Sequence, residues 1–123
     1  MNRLLLTALL SISVAVPALA HDPRPGPNGG LKVDAGARHH AEFLANGTPQ
    51  VVVFLYDAND QPMSSQGYRA NAILVVSGAT QRFPLQSGEG NRLVGTAPVA
   101  VPVGTKGAVQ IIGPDGTTAQ ARF

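Results

Sequence analysis

Three histidines carry most of the chemistry this chain can offer: His21, His39 and His40. His21 directly follows Ala18-Leu19-Ala20, a small-x-small pattern for signal peptidase, so cleavage after Ala20 makes it the first residue of the mature chain. It then presents a free α-amine beside an imidazole, a chelate suited to a late first-row metal such as copper. His40 and Glu42 stand two apart in a stretch that alternates apolar and polar residues, and at i and i+2 on a strand they project to the same side. An imidazole and a carboxylate there can supply two ligands to Cu²⁺ or Zn²⁺. His39 projects to the opposite side and joins that set only where a bulge re-aims it. The candidate ligands are therefore His21, His40 and Glu42, with His39 fourth. Amine and imidazole bind metal only when deprotonated, and with ordinary values of about 8 and 6.5 such binding weakens on acidification. The plainer reading is that His39 and His40 are an ordinary pair on a half-exposed strand and His21 an unstructured first residue.

Patterns for other chemistry are missing. Ser77 and Ser87 are not framed as a G-x-S-x-G elbow, and the acids are scattered singly with no pair for acid–base work. Gly88-Glu89-Gly90 has no helix after it and reads as a turn rather than a phosphate loop. No cysteine occurs, which removes thiolate metal sites and cysteine nucleophiles. The expectation is a protein that is not an enzyme and has no catalytic residues.

The elements that must position these groups follow an export signal. Arg3 gives the positive start, Leu4 to Val16 an apolar run, and Pro17 its end, so residues 1–20 read as a cleaved Sec signal peptide and the location as periplasmic. The run is short for a membrane span and nothing later is long and apolar enough, so no integral membrane segment is expected in the mature chain. No cysteine follows the cut, which argues against lipoprotein anchoring. Removing twenty residues leaves 103, enough for one domain with its own core. Without Arg3, eight Lys and Arg oppose seven Asp and Glu, a net charge of +1 with the signs interspersed. That balance recommends no nucleic-acid partner.

Residues 21–30, HDPRPGPNGG, hold three prolines and three glycines and read as an extended, mobile arm without helix or regular strand. Residues 31–123 then read as short strands between turns. These are 32–34; 39–45, with Ala41, Phe43 and Ala45 on one face; the apolar run 50–57; 70–77; 81–86; 92–97; 109–112; and 117–123, with Ala119, Ala121 and Phe123 inward. Asn46-Gly47 and Pro114-Asp115-Gly116 are strong turn signals. Met63, in the polar loop that starts at Asp57, suits a position at the core edge better than a soft-ligand role. Seven or eight strands at this spacing predict an all-β domain, first an Ig-like antiparallel β-sandwich and second a small barrel.

The segments Gly26-Pro27-Asn28-Gly29-Gly30 and His40-Ala41-Glu42 resemble a group of small exported bacterial proteins, and also the N-terminal part of periplasmic adaptor subunits of heavy-metal efflux pumps. In that group G-P-N-G-G precedes H-x-E by about ten residues, and a hydrophobic strand and an acidic turn follow, here Val51 to Tyr56 and Asp57 to Pro62. The resemblance implies an Ig-type sandwich, copper or other divalent-metal handling, and efflux components as partners, with His40 and Glu42 at the matching positions. Many members carry histidine just before G-P-N-G-G, where this chain has Arg24-Pro25. The expectation is a periplasmic protein that buffers or delivers copper, or zinc. Its rival is a metal-free β-sandwich interaction module that pairs with a periplasmic protein through an edge strand.

Overall fold

A computed structural model describes residues 22–123, so the signal-peptide segment and His21 lie outside the described residues. Nine strands run through it: β1 (Arg24–Pro25), β2 (Leu31–Ala35), β3 (His39–Ala45), β4 (Gln50–Asp57), β5 (Arg69–Val76), β6 (Ala79–Ser87), β7 (Arg92–Thr96), β8 (Lys106–Ile112) and β9 (Thr118–Arg122). All pairings are antiparallel. The described residues contain no helix, and so none long and apolar enough to cross a membrane.

The all-β expectation holds, but the Ig-like sandwich is corrected. The strands form one sheet in the order β1-β2-β3-β4-β7-β6-β5-β8-β9, and β2 also pairs β9, so β2 to β9 close into an eight-stranded barrel. Two seams make the closure. β6 meets β7 at Gln86↔Val94 and Ser87↔Leu93, and β2 meets β9 at Ala35↔Ala121. Turn spacing and alternation are common to sandwiches and barrels, so no local pattern separates them. What decides is whether the outer rails of β6 and β9 find partners, which is a non-local matter.

The strand phase follows from side-chain chemistry. Ala41, Phe43 and Ala45 of β3 face inward with Val51, Val53 and Leu55 of β4, Leu74 of β5, Leu85 of β6, Leu93 of β7 and Val109 of β8. Each such Val, Leu or Phe contributes about 1.5–3 kcal/mol on burial, and with no cysteine in the chain this packing holds the barrel together. Ser77 and Gly78 both take positive φ in a two-residue hairpin loop, the geometry that matches strand twist. Where an extended arm without regular strand was expected, Arg24 and Pro25 pair Lys32 and Leu31, and the chain then turns through Gly26–Gly30 against the outside of the barrel.

Gly95 shows how close the β6–β7 seam is. A Cβ there would overlap the carbonyl oxygen of Pro84 and meet Leu85 Cγ at 3.0 Å. Gly95→Ala is expected to destabilise the fold by about 1–3 kcal/mol, which lowers the melting temperature by roughly 4–8 °C per kcal/mol. A thermal melt that coincides with the parent's would show the seam to be looser than described.

Candidate functional site

The site lies on the outer face of β2, β3 and β4. Residues directly opposite in an antiparallel pair share a face. The register pairs Lys32 with Glu42, Asp34 with His40, His40 with Tyr56, Glu42 with Phe54, and Phe54 with Arg92. These seven side chains thus stand on one surface. In an ordinary barrel they would be solvated, yet Lys32, Glu42, Phe54 and Tyr56 are buried. The N-terminal arm and the loop after β4 cover them. Arg92 adds its guanidinium, 5.6 Å from the Phe54 ring centre.

Glu42 anchors the covering arm. Its side chain is fully buried, and both oxygens accept two hydrogen bonds. Oε1 takes Asn28 Nδ2 at 2.9 Å and the Tyr56 hydroxyl at 2.8 Å. Oε2 takes the backbone N–H groups of Asn28 and Gly30, each at 2.9 Å. Four donors fill the in-plane acceptor sites of a carboxylate. The arm can approach this closely because residues 26 and 30 lack side chains: a Cβ on Gly26 would overlap Glu42 Cδ, and one on Gly30 would overlap the Phe43 carbonyl oxygen. The GPNGG and HxE segments are therefore two halves of one hydrogen-bonded latch. Tyr56 is pushed up to about 12 by its burial, and the hydrogen bond and charge of Glu42 add to that rise.

A second cluster adjoins the latch. Lys32 Nζ lies 3.9 Å from the centre of the Tyr56 ring and 3.0 Å from Asp60 Oδ1. Asp60 also takes Arg24 Nη2 at 3.2 Å, so the loop after β4 is tied to both the arm and β2. Asp57 Oδ1 folds that loop by accepting the N–H groups of Asn59 and Gln61, and Asp60 adopts a left-handed φ of 62°. Lys32 foremost, with Arg24 and His40, holds the Asp60 carboxyl down at about 2, against a smaller opposing contribution from burial.

His40 belongs to this cluster. Its Nδ1 stands 2.6 Å from Asp60 Oδ1 and its Nε2 3.2 Å from Asp34 Oδ1, with 13% of the side chain exposed. The two carboxylates flank opposite ring nitrogens, so the three cannot converge on one ion. Consistent with that, no group of three or more His, Asp or Glu side chains among the described residues could hold a metal.

The sequence-derived ligands are thus dispersed. His40 and Glu42 share the expected face, but Glu42 has no lone pair left in the plane of its carboxylate. His39 lies on the other side of β3 and lines a cavity at the end of the barrel, and no bulge re-aims it. His21 lies outside the described residues. Met63 packs half-buried against the core, at the edge position expected of it. Sequence reasoning missed Asn28, Tyr56, Lys32, Asp34 and Asp60. The available signal was an acid on a strand rich in apolar neighbours, which demands donors, and a glycine-flanked Asn a short distance away to provide them. No family model, curated protein or solved structure matches this chain.

Two outcomes follow from this geometry. Glu42→Gln turns an amide N–H₂ toward backbone donors and leaves them unpaired, and is expected to lower stability by about 3 kcal/mol, read by chemical denaturation. Asp60 is ionised more readily in the folded state than in the unfolded one. Its contribution is present above the unfolded value of about 3.9 and is lost as pH falls toward 2. Asp60→Asn should therefore flatten the fall in stability between roughly pH 4 and pH 2. An unchanged acid limb would show that the ion pairs to Lys32 and Arg24 have no net effect.

Proposed function

We propose that the protein is an exported, periplasmic metal-binding module that buffers or delivers copper, or zinc, with His40 as its fixed ligand and no catalytic turnover. The observation that carries this reading is the placement of His40 between two carboxylates. Asp60 lies against Nδ1 and flanks the ring on the side away from Asp34, the place a second carboxylate takes beside a metal-bound histidine. On the other side of the ring, Nε2 and the partly exposed Asp34 form a nitrogen–oxygen pair that an ion would bridge in place of their present contact. Two donors bound to one ion lie roughly 3 Å apart, and these stand 3.2 Å apart.

Asp34 thus takes the oxygen-donor place first expected of Glu42, which latches the arm instead. The remaining donors would be the α-amine and imidazole of His21. Arg24 is bonded to the same Asp60 that contacts His40, and three residues of chain reach at most about 10 Å. The resemblance to segments of heavy-metal efflux adaptors agrees with this reading and names efflux components as the natural partners.

The rival interaction module has one observation in its favour. β6 pairs β5 from Ala79 to Gln86 but β7 only at Gln86 and Ser87, so among the described residues the rail from Ala79 to Arg82 has no strand paired to it. Arg82 on that rail and Pro84 just beyond it oppose such pairing.

Titration of correctly processed protein with Cu²⁺ separates the two. One ion per chain is expected, with a gain of about 2.7 kcal/mol in stability at a hundredfold excess over Kd. His40→Ala should weaken binding more than tenfold, as should a single extra residue before His21. Glu42→Gln should lower stability while leaving the stoichiometry at one. Equal affinity for His40→Ala and the parent would end the metal reading.

A further inference from the structure

We propose that the cavity at the end of the barrel beside His39 binds a small monocarboxylic acid whose apolar body is about the size of one aromatic ring. The cavity holds about 180 Å³, slightly more than the ~150 Å³ apolar cavity that accepts benzene. It opens between the β2–β3 turn, the loop from β4 to β5 and the β8–β9 turn. Leu55, Met63 and Ile111 give it an apolar floor. Leu55 and Ile111 belong to the core, and Met63 packs against it, so the floor is preformed.

Besides the mutually bonded Asp115 and Thr117, four polar side chains line the same space: Arg38, His39, Tyr68 and Thr118. None makes a hydrogen bond or ion pair with any described residue. Hydrogen-bonding groups left unspent around an apolar floor are the usual mark of a small-molecule site. Their character selects the ligand. Arg38 supplies a planar cationic fork that matches a carboxylate, and the phenol and imidazole can each add one hydrogen bond. Asp115, also at the rim, is turned into its own loop: Oδ1 accepts the Thr117 N–H at 3.0 Å and Oδ2 the Thr117 hydroxyl at 2.9 Å. Those bonds, the backbone one foremost, hold its carboxyl below the usual range and so ionised, which disfavours any ligand with a second negative charge. A bare inorganic anion leaves the floor uncovered, and a neutral hydrocarbon leaves Arg38 unpaired.

The site is independent of the metal reading, because His39 and His40 project to opposite sides of β3. The test is an amide and methyl NMR titration with benzoate, with benzamide (the ring without the charge) and acetate (the charge without the ring) as controls. Benzoate is expected to shift the signals of His39, Leu55, Met63, Tyr68 and Ile111, and to bind at least tenfold tighter than either control. Arg38 is exposed and unpaired, so Arg38→Gln should keep the fold and lower benzoate affinity at least tenfold. Ala119→Leu should fill the space and abolish the shifts. Equal binding of benzamide and benzoate, no response in those five residues, or unchanged affinity in Arg38→Gln would each overturn the proposal.

Discussion

A fully buried carboxylate on the outside of the barrel organises the outer layer. Glu42 sits beside Phe54 and Tyr56, where an uncompensated negative charge would be costly. Four donors from three residues of the arm and sheet make it tolerable, and charge-assisted hydrogen bonds of this kind are among the stronger ones. The dependence runs both ways. Without the arm the anion lacks three of its donors, and without the anion the backbone N–H groups of Asn28 and Gly30 lose their acceptor. A segment dense in proline and glycine, with little tendency to order itself, is held by this acid of β3 together with the β1–β2 pairing and the Arg24–Asp60 ion pair.

The latch also sets the surroundings of His40. Tyr56 spends its hydroxyl on Glu42 and its ring face on Lys32, and Lys32 passes the connection to Asp60. Asp60 in turn holds Arg24 of the arm and contacts His40. Carboxylate, phenol, ammonium and imidazole thus form a continuous polar layer over β2 to β4. Neighbouring histidines consequently meet different chemistry: His40 faces charged groups on the outer surface, and His39 faces a mostly apolar cavity at the barrel's end.

Much of the framework was legible in the chain. The limits of β3 and β4 and the phase of β3 follow from alternation alone, because Ala41, Phe43 and Ala45 have to be buried and His40 and Glu42 then point outward. What alternation cannot say is whether the outward face stays in water. Glu42 read as a free ligand because its rule assigns a side, not a cover, and the cover is a segment that by composition should not fold. Barrel closure was illegible for a related reason. The pairs Ala35↔Ala121 and Ser87↔Leu93 depend on sheet twist, and alanine at 35 and 121 looks the same in an edge strand as in a seam.

The order of strands has a kinetic consequence. β2 is the first strand of the barrel and β9 the last, yet they lie side by side, so the cylinder cannot be completed until almost the entire chain is present. Loop-closure entropy over that separation makes the final docking slow compared with the local hairpins β3–β4 and β5–β6. A polypeptide assembled in this way stays threadable until its last strand arrives, and only then commits to its native shape.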